Sequence, residues 1–444
     1  MRPLEFEFEW QDAEGVKGSE LACTWASLSI RVNNSVLTRV VDPSDHRVRE
    51  HIHVPLYPLA EWLATNWWSI LHESEDRVGL DDRSFLERHA LGPTREGYRF
   101  PNMQVVSFDT RTRITWKHDT LRWTKLEFLD RQGCEWIDKQ EFRETCASLV
   151  DAVVARLASW DVGNTFLQAE WGAIRGADPQ ERRFCETAGA LGLDPYSIDE
   201  VHKENILRLD EKLSVAVFKE ALPILRADSL GTELFAIQKV LRLGKASSIP
   251  LERLTCVRDE VVQSVNGRSR ERPWLGGYLL AREVRTRLGL DGTPVASWPA
   301  LSRALDEPRI ADGRLSRSTA FNHAAGLEGV VTSSEAGLPA FAFSPGGYSQ
   351  TSRFRFCRGL AELLVAPGSD ALLTTSRSSR QQCGRAFAAE FLAPSVGLRQ
   401  HVHRDVLDEE EVEELAFQFG VSPWVIKHQI ENHGIAQIKG TSPP

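Results

Sequence analysis

The sequence predicts an α+β fold, and three observations lead to that prediction. Residues 1–140 contain several runs in which apolar and polar side chains alternate, as they do in half-buried β-strands. Residues 141–266 instead carry apolar residues at a spacing near 3.6, the period of an amphipathic helix. Residues 267–400 combine both patterns, which predicts a core of helices with a small sheet. A final segment, 401–444, has a helix-turn-helix-like pattern, so four regions are predicted.

The first region is predicted to be β-rich. Leu4–Trp10 alternates strictly between apolar and acidic side chains, and this period of two is typical of a strand. Four further strands are predicted at 28–32, 104–108, 112–116 and 126–129. Between them, 58–71 has helical spacing and holds three tryptophans, at 62, 67 and 68. Tryptophans in such a cluster could form a recognition platform, but the pattern favours packing of a helix on a sheet.

The second region is predicted to be helical. A helix is predicted at 141–160, and 181–196 has the pattern of a helix, a glycine stop and a turn. Helical spacing continues through 206–225. Consecutive helices of this kind are more often packing units than DNA readers, so a structural role is favoured.

The third region follows a polar, basic stretch at 267–273, which is predicted to be a linker. Helices are predicted at 274–288 and 298–305, followed by a hairpin whose strands cover 326–333 and 338–344. An apolar-rich helix is then predicted at 353–364, and another at 386–394 that is stopped by its proline.

The last segment contains two predicted helices, at 408–420 and 421–434. Ser422 is predicted to cap the second helix and Pro423 to begin it. The first of the two carries six carboxylates, which would repel phosphate groups. A structural role is therefore favoured over DNA reading.

The order of elements in 270–435 resembles the ImmA/IrrE family of zincin-like metallopeptidases. The matching motifs are the Arg353-Phe354 start of one helix and the Phe-Ala-Ala-Glu-Phe-Leu-Ala-Pro run at 387–394. The resemblance implies a zincin-like core with a His-Glu-x-x-His helix. This chain departs from that motif, because it has Arg358-Gly-Leu-Ala-Glu362 at those positions. The family's third ligand, a glutamate, would fall near Gln381 to Cys383, where no carboxylate exists.

The substituted positions lack the chemistry of a zinc peptidase. Two histidines at i and i+4 hold zinc while the glutamate between them activates a water molecule. Arg358 has no lone pair to donate to a metal, and Gly359 supplies no general base. Glu362 alone does not make a zinc site. Its i,i+4 spacing predicts an ion pair with Arg358, whose charge would lie where the metal's charge would be. The degenerate active-site positions are Arg358, Gly359, Glu362, Gln381 and Cys383.

The resemblance therefore implies a regulatory or sensor module without catalysis, built on a degenerate peptidase core and binding a protein or peptide. A cleft between the hairpin edge and the 353–364 helix is predicted to hold a peptide as an added strand. The residues predicted to line this cleft are Phe341, Phe343, Arg353 and Phe354. By resemblance, the partner would belong to stress, toxin-antitoxin, mobile-element or phage control. No cofactor is predicted for this function.

Two other functions stay open. An active zinc endopeptidase would need rearranged ligands, for which the candidates are Glu362, His401 and His403. A cysteine nucleophile at Cys357 or Cys383 is conceivable, but no histidine partner can be assigned to it. A transcriptional regulator would read DNA through the helix pairs.

The net charge, the cysteine pattern and the distribution of apolar residues bear on which functions and which cellular location are predicted. The net charge of −9 argues against a broad electrostatic footprint on nucleic acid. Seven dispersed cysteines without a C-x-x-C pair argue against a disulfide framework or a cysteine-rich zinc module. The acidic N-terminus has no apolar signal region, and no apolar run approaches the roughly 18 residues of a membrane span. A cytoplasmic location is predicted.

Overall fold

The computed structural model describes residues 3–13, 15–42, 47–76, 83–92, 97–117, 127–246, 248–265, 272–310 and 315–439. The chain divides into two compact units, Met1–Arg208 and Leu209–Pro444. Each unit has its own apolar core. The finer division into four regions stays a prediction.

The strands of the first unit form three antiparallel sheets. They are β1 (Leu4–Trp10), β2 (Trp25–Val32), β3 (Ser35–Val36), β4 (Val40–Asp42), β5 (Arg47–Arg49), β6 (Ile52–Pro55), β7 (Met103–Phe108), β8 (Arg111–Lys117), β9 (Glu127–Phe128) and β10 (Gln132–Asp138). The first sheet has the order β1-β2-β3 with β6 also paired to β2, the second is β5-β4-β9 and the third is β10-β8-β7. The described parts of the five predicted strands lie within these elements except Leu129, which follows β9 as a bend, and residue 126 lies outside the described residues.

Helices cover the sheets of this unit. They are α1 (Ser19–Cys23), α2 (Tyr57–Thr65), α3 (Trp67–His72), α4 (Arg83–His89), α5 (Lys139–Ser159), α6 (Phe166–Gly176) and α7 (Pro179–Ala190); α8 (Glu200–Lys212) contains the boundary between the units. The single helix predicted at 58–71 is two helices. Asn66 separates them, and its side-chain amide donates to the Trp62 carbonyl at 2.9 Å, in competition with the backbone.

The tryptophan cluster is part of the core, as the sequence favours. Trp62, Trp67 and Trp68 are each only 5% exposed and pack within the apolar cluster of the first unit. The same cluster includes the inward face of α5, with Phe142 and Cys146 fully enclosed. The alternating strands and the helix α5, which has the 3.6-residue period, therefore turn their apolar faces to one shared core.

The second unit is mostly helical, with one four-stranded sheet and one two-stranded sheet. Its helices are α9 (Val215–Ala221), α10 (Leu230–Lys245), α11 (Glu252–Val265), α12 (Pro273–Leu288), α13 (Trp298–Leu305), α14 (Ser349–Val365), α15 (Ser379–Leu392), α16 (Ser395–His401), α17 (Glu409–Phe419) and α18 (Pro423–Asn432). Its strands are β11 (Ser316–Arg317), β12 (Leu327–Ser333), β13 (Pro339–Phe343), β14 (Ala371–Thr374), β15 (Val406–Leu407) and β16 (Gln437–Ile438). An α+β fold with small sheets is thus confirmed.

The larger sheet has the strand order β11-β13-β12-β14. The predicted hairpin is present as β12 and β13, which pair antiparallel with Val331 opposite Phe341. β14 pairs with the other side of β12 and was not predicted, because a four-residue apolar run carries little periodicity. Most of the predicted linker at 267–273 lies outside the described residues.

The helix predicted at 298–305 is present with those bounds as α13, and the other predicted helices of this unit are present with shifted ends. α14 begins four residues before Arg353, and α15 begins at Ser379 and ends just before Pro394. Ser378 caps α15 by accepting from the Gln381 backbone N–H at 3.3 Å, a start signal that precedes the apolar pattern.

The two tail helices are α17 and α18. Asp408 caps α17 in a capping box with Glu411, and Gly420 ends it in the left-handed conformation that favours glycine. Ser422 lies at the start of α18, but its side chain makes no capping hydrogen bond, so that detail of the prediction is wrong. Pro423 begins α18 as predicted.

Two further findings concern the whole chain. All seven cysteines lie in described residues as free thiols. No helix within the described ranges is both long enough and apolar enough to cross a lipid bilayer.

Candidate functional site

The degenerate positions lie where α14 packs on the larger sheet. Phe356 of α14 contacts Phe341 of β13, with ring centroids 5.0 Å apart, and both side chains are fully buried. This apolar contact fixes the rotation of α14 about its axis. Residues on the adjacent stripe of the helix, Arg358 and Glu362, consequently lie inside the protein.

Arg358 is enclosed by polar partners. Its side chain is almost fully buried and forms an ion pair with Glu328 of β12. The same guanidinium donates to the Thr374 carbonyl of β14 at 2.7 Å and to Gln381 Oε1 at 2.6 Å. Burial of Glu328 opposes its ionisation, but Arg358 and Arg355 outweigh it and lower the pKa of that carboxyl below its usual value. Arg358 and Glu328 therefore form a charged pair inside the fold.

Gln381 occupies the edge of β14. Its Oε1 accepts from the Thr374 backbone N–H at 3.0 Å, and its Nε2 donates to the Leu372 carbonyl at 2.7 Å. The side-chain amide therefore pairs with the strand as a neighbouring peptide group would. Its Nε2 also donates to Glu220 of α9 at 2.8 Å, so the amide links the strand edge to a second buried carboxylate.

Glu362 does not pair with Arg358, contrary to the prediction from their spacing. It accepts instead from Arg380 Nε of α15 at 2.5 Å, while Arg358 turns to the sheet. Burial raises the pKa of Glu362 to about 7, and the nearby Glu220 adds to the rise, although Arg380 and Arg358 oppose it. Glu362 and Arg358 form ion pairs with residues of other elements rather than with each other. A buried charge needs a nearer opposite charge than a neighbour on the same helix face supplies.

Gly359 has no room for a side chain. A Cβ there would lie 2.9 Å from Cε1 of Phe341 and 3.2 Å from Cγ2 of Val331. Phe341 is fully buried, so its ring cannot move aside cheaply. The position at which the resemblance implies a general base is thus filled by the sheet.

The two cysteines near these positions are not activated. Burial raises the pKa of Cys357 to about 12, and burial together with Glu362 raises the pKa of Cys383 to about 11. A thiolate is the nucleophilic form of cysteine, and both groups are protonated at neutral pH. This environment is unfavourable to the cysteine-nucleophile alternative.

The alternative zinc ligands are not brought together. Glu362 is bound to Arg380, whereas His401 ends α16, with its Nδ1 2.8 Å from the Gly397 carbonyl oxygen and its ring against Phe419. His403 lies in the exposed segment after α16. Within the described ranges, no three His, Cys, Asp or Glu side chains are grouped as metal ligands.

The predicted peptide cleft is not formed by the four residues assigned to it. Phe341 and Phe343 belong to the core, and the buried Arg353 donates to the Gly420 carbonyl. The cleft was predicted between the hairpin edge and the 353–364 helix, but α14 packs directly on β13 there, with Phe356 against Phe341. Only Phe354 lines a cavity.

That cavity has a volume of about 560 Å³ and lies among α12, α14, α15 and α18. Trp274 and Trp424 line this cavity, and their side chains are 37% and 67% exposed. We call it the aromatic groove, defined by Trp274, Phe354 and Trp424. Its described lining includes Arg385 and His428 but no carboxylate.

The outer side of β13 and part of the β14 edge are covered by the chain itself. On the outer side of β13, Ala342 and Phe343 pair with β11, and Ala340 is bridged to Ser248. On β14, Gln381 takes the Leu372 carbonyl and the Thr374 N–H. Strand addition at these positions, the predicted mode of peptide binding, would require these bonds to break.

Three site residues were missed by sequence reasoning: Glu220, Glu328 and Arg380. Glu328 gave a usable signal, because it is the single charge inside the apolar run 326–333. A charge in a buried strand requires a partner of opposite charge. Arg358, a positive charge in an apolar-rich helix, is such a partner. Glu220 and Arg380 lie on amphipathic helices, where a charged residue is unremarkable.

Comparison of the chain with protein-family models, with curated proteins and with solved structures gives no match. The resemblance to the ImmA/IrrE family stays a prediction.

Proposed function

We propose that the protein is a non-catalytic, protein-binding regulatory module whose second unit is a degenerate ImmA/IrrE-like core. The observation that supports this most is the buried network of Arg358, Glu328 and Gln381 at the positions where the family resemblance implies a metal centre. A guanidinium has no lone pair for a metal. Its charge is already balanced by Glu328, so neutralising that carboxylate requires no metal, although Arg358 Nε itself is buried without a hydrogen-bond partner among the described residues.

The binding surface in this proposal is the aromatic groove. Exposed tryptophans beside a concave apolar surface are typical of binding hot spots. The groove has Arg385 and His428 but no carboxylate among its described lining residues. Charge complementarity therefore favours a partner segment with apolar anchors and acidic residues. This mode replaces strand addition, because the outer side of β13 and part of the β14 edge already have partners.

By resemblance, the partner would be a regulator in stress, toxin-antitoxin, mobile-element or phage control. The N-terminal unit would contribute to the choice of partner. Neither statement follows from the geometry of the groove, which supports only a peptide-like occupant of the stated chemistry.

The groove is tested with peptides selected from a displayed random library on the full-length chain. Anisotropy of a labelled, selected peptide should show binding that Trp424→Ala weakens by about tenfold or more, as expected for a hot-spot residue. The matched control is Phe235→Ala, which removes an aromatic side chain that is 65% exposed on α10 of the same unit. Peptides that bind equally well to the Trp424 variant would contradict this surface.

The absence of catalysis is tested separately. The purified chain is dialysed against metal-free buffer and its metal content is measured by elemental analysis, alongside cleavage assays on the selected peptides. We expect neither stoichiometric zinc nor cleavage. About one zinc per chain that is lost in Glu362→Gln, or peptide cleavage abolished by a chelator, would overturn the non-catalytic proposal.

A further inference from the structure

A second cavity lies inside the Met1–Arg208 unit, among α3, α5, α6 and α7. Its volume is about 520 Å³, within the range of roughly 300–1,000 Å³ that is usual for small-molecule sites. The proposed function makes no use of it.

Tryptophans form one wall of this cavity. Trp67 and Trp68 come from α3 and Trp171 from α6. The rings of Trp67 and Trp171 meet edge to face, with centroids 5.0 Å apart, and Trp171 Nε1 donates to Asp151 at 2.7 Å. The three side chains belong to the core and are only 3–5% exposed, so packing holds in place the small aromatic area that faces the cavity, which suits the edge of a flat ring system.

Four cationic side chains line the cavity: Lys139, Arg143, Arg175 and Arg182. Arg175 pairs with Asp151 and Arg182 donates to the Ala177 carbonyl, whereas Lys139 and Arg143 have no paired anion among the described residues. Lys139 and Arg143 lie one turn apart at the start of α5, so their like charges share one face of the helix and repel. Across the described parts of the chain, neither charged group makes a hydrogen bond or ion pair. An anion between them would offset both the repulsion and the partial burial of Lys139.

The carboxylates of the lining do not fill this role. Asp138 caps α5 by accepting from the backbone N–H groups of Gln140 and Glu141, and Glu144 accepts from the Gln140 side-chain amide at 2.7 Å. Asp138 and Glu144 are thus engaged elsewhere on α5.

Asp109 and Glu186 attract the Lys139 ammonium electrostatically, without a hydrogen bond or ion pair to it among the described residues. Burial nevertheless lowers the pKa of the Lys139 ammonium despite these two carboxylates, so they do not fully compensate it. His72 adds a neutral group, since burial, with Lys139 and Arg143 nearby, lowers its pKa to about 3.

We propose that this cavity binds a small organic anion with a planar ring system, its anionic group at Lys139 and Arg143 and its ring against the tryptophans. Two kinds of compound share this chemistry, aromatic carboxylates and nucleoside monophosphates. The site is independent of the aromatic groove, so either proposal can fail without the other.

The test is calorimetric titration of the full-length chain with 2-naphthoate and with adenosine monophosphate, using neutral 2-naphthamide for comparison. We expect one of the two anions to bind and the amide to bind more weakly. Lys139→Gln should weaken anion binding by about tenfold or more, because a charge-assisted contact is lost. The matched control is Lys203→Gln, which removes a lysine charge from an exposed site on α8 and should leave the affinity unchanged.

Whichever anion binds more tightly shows whether the ligand is an aromatic carboxylate or a nucleoside monophosphate. The proposal is overturned if neither anion binds, if the amide binds as tightly as naphthoate, or if Lys139→Gln binds like the natural chain. Melting temperatures of all variants are compared with that of the natural chain. Should Lys139→Gln fail to fold, Arg143→Gln, at an exposed position, provides the same test.

Discussion

Arg358 and Glu362 lie one helical turn apart on α14, yet each is neutralised by a residue from another element. Arg358 reaches Glu328 and Glu362 reaches Arg380. Inside a protein, an unbalanced charge costs several kcal/mol, so short contacts to other elements outweigh a pair along one helix face. The family resemblance singled out both residues, and their i,i+4 spacing then predicted the wrong partners.

Glu362 makes a pH-dependent contribution to stability. Burial raises its pKa to about 7 in the folded chain, above the ordinary 4.5. Between these values the folded state holds a proton that the unfolded state has lost. The free energy of unfolding should therefore fall as pH rises from about 4.5 to about 7, by at most about 1.4 kcal/mol per pH unit from this group.

Glu362→Gln should flatten this fall, because the amide does not titrate. Urea unfolding of the full-length chain at several pH values measures the effect as the difference between variant and natural chain. Glu335→Gln, at an exposed position, is the control and should keep the natural profile. Equal slopes for Glu362→Gln and the natural chain would refute the assignment.

At the scale of elements, the contact of α14 with the sheet depends on Gly359. A helical glycine replaced by alanine usually gains about 0.5–1 kcal/mol. At Gly359 the new Cβ would meet the buried Phe341 ring at 2.9 Å, and overpacking costs about 1–3 kcal/mol. We therefore expect Gly359→Ala to lose about 1–2 kcal/mol, and Gly359→Glu to lose more without creating a peptidase.

Gly384→Ala on α15 is the matched control. Its new Cβ would lie 3.9 Å from Arg358, an ordinary contact, so this variant should gain stability. Urea unfolding of both variants checks the contrast. An alanine at 359 that stabilises the chain as much as one at 384 would show that α14 is not held against Phe341.

The elements were largely predictable from sequence, whereas the way they meet was not. Strict alternation located β1, and apolar spacing followed by a proline located the end of α15. The short strand β14 and the coverage of β13 depend on contacts between segments distant in the sequence, to which local periodicity is blind. The same limit explains why Phe341 was assigned to a cleft: alternation gives a buried face without saying what covers it.

At the scale of the whole molecule, charge decides between protein and nucleic acid as the partner. The net charge is −9, and the first turn of α17 carries Glu409, Glu410 and Glu411. On α18, which would be the reading helix, Lys427 is paired with Glu409. Phosphate binding needs an excess of basic groups that release counterions, whereas α17 and α18 together carry more acidic than basic side chains.

We therefore expect no binding of a labelled mixed-sequence duplex in anisotropy titrations at low salt, up to about 10 μM protein. Reversing the charges of residues 409, 410 and 411 to lysine should create weak, salt-dependent binding, which shows that the assay detects such contacts. Saturable, salt-dependent binding by the natural chain would instead favour the DNA-reading alternative. Because the reversal acts on α17 and leaves Trp424 in place, peptide binding at the aromatic groove should survive it, and that separates electrostatic repulsion from loss of the fold.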